Sequence, residues 1–355
     1  MKGLILSGGR GTRLRPFTYT GAKQLVPVAN KPVLFYAIES LVAAGVSDLG
    51  IVVGDTSDQV QAAVGDGSRF GATVSYIHQP QPLGIAHAVS VARDFLKDEP
   101  FTLYLGDNLV REGIGPLVDR FRVGDLNALM VLREVPNPQE FGIAVLDGER
   151  VVRLIEKPAQ PPTNLAVIGI YLFDHHVFEA IDRLEPSARG EYEITDTLQD
   201  LINHEFAVEA WHLNGHWTDT GKMEDILEAN RWMLEVIPPR LEGHVHADSR
   251  VIGVASIEPG VEIIGSVIRG PVVIGARTRI INSYVGPFTS IDHDCNIEGS
   301  EVEHSIVMEG STILNVGQRI EDSLIGRFVR ITCSTNKPRA HQLVLGDHSQ
   351  VALLG

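Results

Sequence analysis

Residues 4–16 read LILSGGRGTRLRP, an apolar run that ends in Ser7, Gly8, Gly9 and Gly11 and continues into arginines. Glycines at these positions let the backbone approach a ligand closely and turn several N–H groups onto anionic oxygens, while Arg13 adds a fixed positive charge. A tight strand-to-helix turn uses the same residues, so the loop alone establishes only that an anion can sit here. Two familiar phosphate loops are excluded. No GK[ST] follows, and the dinucleotide fingerprint is broken because its third glycine is missing and Arg15 and Pro16 come next. A second chemical group is Asp107 in LYLGDN, at the end of an apolar run. There a carboxylate can hold a divalent cation or simply occupy a surface turn.

The elements that must position these groups follow from the pattern of the chain. Up to about residue 235, apolar runs alternate with helix-like stretches: GLILSG, PVLFYAIESLVAAG, LGIVVG, QVQAAVGDG, VSYIHQ, IAHAVSVARDFL and FTLYLGD. This predicts an α/β domain of βαβ units around a Rossmann-like, mostly parallel sheet. Its ligands gather at the carboxyl ends of the strands, where both the glycine loop and GDN fall. From about residue 240 helical periodicity gives way to IIGSVIRG (263–270), IINSYVG (280–286), VEHSIVMEG (302–310) and IEDSLIG (320–326). Their serines, Ser266, Ser283, Ser305 and Ser323, stand 17, 22 and 18 positions apart. A period near 18, with an apolar residue about every sixth place, predicts a left-handed parallel β-helix with three short faces. The prolines of EVIPPRLEG (235–243) set the joint, giving domains over 1–238 and 239–355.

Composition narrows the function. The 355 residues are 44% hydrophobic and 21% charged, with room for two cores. No apolar run approaches the roughly 18 residues that span a bilayer. Lys2 and Gly3 lead into only three strongly apolar residues before Ser7, so no signal peptide is read and a cytoplasmic protein is expected. The net charge of −15 argues against nucleic acid as a partner and requires any phosphate chemistry to be local. Cys295 and Cys333 have neither disulfide nor metal spacing and read as small buried residues. Among the scattered histidines, including His78, His87, His175, His176, His212 and His216, no pair has zinc-protease spacing. They read as structural or solvated.

Past the glycine loop the chain runs GGRGTRLRPFTYTGAKQLVPVANKPVLFYAIESLVAAG. This stretch resembles the sugar-1-phosphate nucleotidylyltransferases, whose GGxGTRLxPxT loop and downstream lysine segment form a nucleotide phosphate site. KQLVPVANKP is most similar to the KQLLPV of the glucose-1-phosphate thymidylyltransferase branch. The resemblance implies a nucleotide site of Gly8, Gly9, Gly11, Thr12, Arg13, Gln24, Gln79 and Gly84, with Gln79 on the pyrimidine. It implies catalytic cations at Arg13, Lys23 and Lys157, and carboxylates for Mg²⁺ at Asp107 and at Asp219 in GHWTDTGK. Relatives often have WLDTG there, so Thr218 is a departure beside the ligand position. The sugar-phosphate side would be Gly142, Glu156, Lys157, Val167, Tyr171 and Arg189, with Phe141 where short-form relatives often carry tyrosine. Without the resemblance, Gln79 is a loop residue, Glu156 and Lys157 a solvated pair, and Val167 and Tyr171 strand core.

The activity so implied joins dTTP and glucose 1-phosphate into dTDP-glucose and pyrophosphate, with no nucleic acid or membrane partner. Relatives of this form commonly serve deoxysugar synthesis for bacterial natural products, and the flat faces of a β-helix point to a homo-oligomer. Two rivals are weighed. One is a bifunctional uridylyltransferase and acetyltransferase with His293 or His304 as base. The other is a regulatory paralogue without chemistry, opposed by the presence of every metal carboxylate and phosphate cation.

Overall fold

The computed structural model describes residues 1–9, 11–333 and 342–352. The chain divides into two compact units. The first comprises Met1–Arg10, Gly21–Leu25 and Val33–Asp219, and the second Gly11–Thr20, Val26–Pro32 and Thr220–Gly355.

In the first unit β1 (Lys2–Ser7), β2 (Asp48–Val53), β3 (Thr73–His78) and β4 (Phe101–Leu105) lie parallel in the order β3-β2-β1-β4. The helices α1 (Val33–Ala43), α2 (Ser57–Val64) and α3 (Ile85–Val91) fall between them in the chain. Such strands are covered on both faces, which is why β1 is apolar without alternation. Leu4 enters one core cluster and Ile5 the other, both with no exposed surface. Helix α1 contributes Leu34, Ala37, Ile38 and Leu41 to the Ile5 side, a stripe at helical spacing.

The rest of the sheet departs from the mostly parallel expectation. β4 pairs on its other side with β8 (Leu165–Phe173), antiparallel, and β8 pairs antiparallel with β5 (Ala128–Glu134) and β6 (Gly142–Asp147). β7 (Arg150–Glu156) folds back on β6 through a two-residue turn at Gly148 and Glu149. β9 (Val208–His212) returns parallel to β5. The sheet is therefore mixed, because a two-residue turn can only join antiparallel strands, whereas each parallel step needs a helix-length crossover. The register sets Ile170 opposite Tyr104. Val167, three residues earlier in β8, therefore lies toward the carboxyl end of β4.

The second unit winds three parallel sheets, of six, six and four strands, around one apolar core. This is a parallel β-helix. Its step is 17 residues over most coils: Arg250 pairs with Val267, Val267 with Tyr284 and Tyr284 with Glu301. The serine spacing of 17, 22 and 18 mixed two columns. One is Ser249, Ser266, Ser283 and Ser300, in which each hydroxyl accepts the next serine's N–H at 3.0–3.2 Å. The other runs from Ser305 to Ser323, whose N–H reaches the Ser305 hydroxyl at 3.1 Å. Cys295 is buried in this core as expected, but Cys333 is exposed because it lies beyond the last rung, Arg330–Thr332.

Helix α4 (Met223–Glu235) belongs to this unit with the small hairpin Pro27–Val28 and Lys31–Pro32. Asn230, fully buried, ties them to the coils. Its Oδ1 accepts from Ala29 N at 2.8 Å and Ser290 Oγ at 2.6 Å, and its Nδ2 donates to Phe288 O at 3.0 Å. The serine column gives a direct stability test. Ser283→Ala strands the buried Ser300 N–H and should cost about 1–3 kcal/mol, read by urea unfolding. A variant as stable as wild type would show that the column carries no stabilisation.

Candidate active site

Gly8 and Gly9 follow β1, Gln79 follows β3 and Asp107 follows β4, so three loops share the carboxyl edge of the parallel strands. The main-chain turn after β4 is held by Gly106 N donating to Leu6 O at 2.9 Å and Asn108 N to Leu105 O at 2.9 Å. Lys23, only 7% exposed, donates its Nζ to Asp107 Oδ2 at 2.6 Å and to the Asp219 carbonyl at 3.1 Å. One ammonium thus brings together two aspartates that are 112 positions apart in the chain. Asp107 is also oriented from behind. Asn108 Nδ2 donates to its Oδ1 at 2.9 Å, and Asn108 Oδ1 accepts the Trp217 indole N–H at 2.7 Å. Phe141 packs edge-on against that indole at 5.7 Å, so its flat apolar face has a partner here.

On the base side, Gln79 Nε2 lies 3.0 Å from His87 Nδ1 and 3.4 Å from Gly84 O. Gly84 has φ 104°, and a Cβ there would meet the Tyr192 backbone at 2.5–2.9 Å, so only glycine fits. A side chain at Gly8 would come 3.5 Å from Gln79 Oε1 and one at Gly9 3.7 Å from Gln24 Nε2. Gln24 is 2% exposed, yet among the described residues its Oε1 has no hydrogen-bond partner, and neither does the buried Ser7 Oγ. Buried polar atoms of this kind are costly unless something pairs with them.

The sugar-side residues converge on Glu156 at the end of β7. Its Oε1 accepts from Arg189 Nη1 at 3.0 Å, with Lys157 Nζ 3.7 Å away, and its Oε2 accepts from Thr195 Oγ1 at 3.1 Å. Arg189 also reaches Glu193 and Glu191, each at 3.3 Å. A Cβ at Gly142 would lie 3.1 Å from Glu156 Oε2, so the glycine makes that approach possible. A cavity of about 360 Å³ opens here, lined by Glu156, Ser187, Arg189, Glu193 and others. Val167 and Tyr171 are buried in the strand, Tyr171 stacked on Phe173 at 6.0 Å. Burial and then the Glu156 charge push the Tyr171 phenol well above its ordinary range. It is a neutral wall residue.

Gly11, Thr12 and Arg13 belong to the second unit. Gly11 takes the left-handed conformation, φ 57°, and opens a short 3₁₀ turn over Thr12–Leu14 that presents Arg13 to solvent while Leu14 is buried. Asp107 and Asp219 supply hard oxygen donors, the set a small divalent cation takes. The donor set fits such an ion, and Lys23 already supplies positive charge at the same carboxylate. Elsewhere, ligand atoms of Asp174, His175 and His176 lie within 4.8 Å of one another. The Asp174 carboxylate there is engaged by Asn127 Nδ2 at 2.8 Å and by His176 N and Nδ1 at 3.0 and 2.8 Å. Asn108 and Thr195 were missed in the sequence. The first was signalled by its place in GDN beside Asp107, and the second had no local signal.

A chain with this sheet and these clustered loops belongs to the nucleotidyl transferase family, whose profile matches residues 2–236. Glucose-1-phosphate thymidylyltransferase of Streptomyces griseus is 53% identical over 354 residues, 99% of each chain. The enzyme of the same name from Streptomyces antibioticus is 50% identical over 355 residues, again 99% of each. Among solved structures, a Bacillus anthracis protein designated a glucose-1-phosphate thymidylyltransferase, in complex with sucrose, aligns with a TM-score of 0.64 at 34% identity. It covers 68% of this chain and 98% of that one. No helix among the described residues is long and apolar enough to cross a membrane.

Glu193 supplies a test of the site's electrostatics. Burial pushes its carboxyl above the ordinary range, against the hydrogen bond from Ser187 Oγ at 2.8 Å and the nearby Arg189. Between the unfolded value and the raised one, the folded protein keeps a proton that the unfolded chain has released, so stability falls as pH rises through that window. Glu193→Gln stays neutral throughout. Its Tm relative to wild type should therefore rise as pH increases from about pH 4 and level off once the raised value is passed. A Tm difference that does not change with pH would contradict the burial argument.

Proposed function

We propose that this protein transfers the thymidylyl group of dTTP to glucose 1-phosphate, forming dTDP-glucose and pyrophosphate. The observation that carries the reading is the Lys23 ammonium joined to Asp107 and to the Asp219 backbone at the carboxyl edge of the parallel strands. The names of the two Streptomyces relatives support the choice of substrates. We assign the nucleotidylyltransferase domain to residues 1–238 and the β-helix to 239–355, take its coils as left-handed from their near-hexapeptide spacing, and expect a cytoplasmic homo-oligomer.

A sugar-1-phosphate oxygen is already ionised near neutral pH, so the reaction needs no general base. The obstacle is bringing two polyanions together. Arg13 and Lys23 neutralise the triphosphate, and the backbone of Gly8, Gly9, Gly11 and Thr12 receives its oxygens. Gln24 Oε1 and Ser7 Oγ are the buried atoms left for a ligand to pair with. Gln79 and the Gly84 backbone hold the base. Lys157 and Arg189 exchange part of their contact with Glu156 for the sugar phosphate, while Gly142, Glu156 and Val167 meet the hexose, with Tyr171 behind them. A Mg²⁺ on Asp107 and Asp219 supplies, when bound, charge neutralisation and polarisation of the α-phosphate. The sugar phosphate oxygen forms a bond to the α-phosphorus as the bond from that phosphorus to the bridging oxygen breaks, and pyrophosphate leaves with the electron pair. Catalysis is by positioning and fixed charge.

A pyrophosphate-release matrix of dTTP, UTP, ATP, CTP and GTP against glucose, galactose, mannose and N-acetylglucosamine 1-phosphates tests the substrates. Preference for ATP or GTP overturns the base assignment. Asp107→Asn keeps an acceptor for Lys23 yet should lower kcat about 10²- to 10³-fold. Lys157→Ala should chiefly raise the KM for glucose 1-phosphate. Near-normal turnover in Asp107→Asn would refute its role.

A further inference from the structure

We propose that the coil ending in the rung Arg330–Thr332, together with His348, positions the Arg13 loop, and that this positioning tunes the affinity for the nucleotide. The inference rests on the proposed role of Arg13. Gly11–Thr20 belongs to the same compact unit as the coils, although in the chain it follows the first strand of the other unit. Two aromatic residues fasten it. The Phe17 ring lies against Gly326, where an added Cβ would meet Phe17 Cε1 at 3.4 Å and Cδ1 at 3.6 Å, with Val329 Cγ2 at 3.7 Å from the same point. The Tyr19 ring stands 5.8 Å from the imidazole of His348, and the Arg15 guanidinium lies 4.8 Å over the other partner, the Tyr19 ring.

The loop and the coil are each stiff at these contacts. Thr18 Oγ1 donates to Gly11 O at 2.7 Å, closing the loop on itself, and Leu14 is buried. On the coil side, Gly326 follows the rung Leu324–Ile325, and Ser311 Oγ donates to Gly326 O at 2.7 Å. A Cβ at 326 would just reach van der Waals contact with the Phe17 ring, so a branched side chain there would crowd it. A cation that must meet a triphosphate binds it best when its loop is already ordered, because ordering on binding subtracts from affinity. Arg13 is four residues from Phe17, too short a span to move independently of an anchored ring. Phe17, Gly326 and His348 are thus positioning residues.

Steady-state kinetics on the full chain decide the matter through Phe17→Ala, Phe17→Leu, His348→Ala and Gly326→Val. Phe17→Ala and Gly326→Val should raise the KM for dTTP about three- to tenfold, the scale of one lost aromatic contact. The KM for glucose 1-phosphate should stay within about twofold, Phe17→Leu should recover most of the loss, and trypsin should cut faster after Arg13. If Gly326→Val lowers Tm broadly, Phe17→Ala and the cleavage rate carry the test. Equal shifts in both KM values, or an unchanged dTTP KM with unchanged cleavage, overturn the proposal. Failure of wild type to use dTTP at all would instead remove the functional reading beneath it.

Discussion

The site is organised around the hydrogen bond and ion pair between Lys23 Nζ and Asp107 at 2.6 Å. A nearly buried ammonium must be paired, because an uncompensated charge in a poorly solvated place is more costly than almost any other single defect. Lys23 meets that requirement with one carboxylate and one main-chain carbonyl, from Asp219. This demand brings the segment after the glycine loop, the turn after β4 and the strand containing Trp217 to one point. The indole of Trp217 and the amide of Asn108 then fix the far oxygen of Asp107. The carboxylate is thus oriented before any ligand arrives.

The sugar-side cluster follows a related logic with opposite emphasis. In a protein of net charge −15, positive charge is scarce and must be held where it is used. Glu156 gathers Lys157 and Arg189 near the mouth of the cavity, and Thr195 satisfies its second oxygen. These cations are partly exposed, so their pairing with Glu156 is weak and readily exchanged. Glu193 beneath them remains buried and harder to ionise.

The second unit gains its rigidity from repetition. Most rungs bury Ile or Val in one core, and the hydroxyl of each serine in the column satisfies the N–H of the next. The buried side chain of Asn230 joins the hairpin, helix α4 and the coil through three hydrogen bonds.

Much of this was legible in the chain itself. The alternation of apolar runs with helical stripes determines the parallel half of the sheet, and residues at strand ends such as Asp107 are placed by that alone. The repeat of short β-branched runs at a near-constant step points to a β-helix, because stacked coils of equal length each add the same few residues to one core. Tertiary structure decided what local pattern leaves degenerate. The antiparallel half of the sheet depends on which strands meet across a hairpin, and the step of 17 became visible only when Ser300 rather than Ser305 proved to continue the column. Thr195 gave no signal, since its role is to touch Glu156 from a distant helix. Most of all, the glycine loop is one continuous motif in the chain, yet its Gly8 and Gly9 pack with the sheet and its Arg13 segment with the coils. Sequence specifies which residues can carry charge and turn the backbone; packing between segments hundreds of residues apart decides which of them are held, and by what.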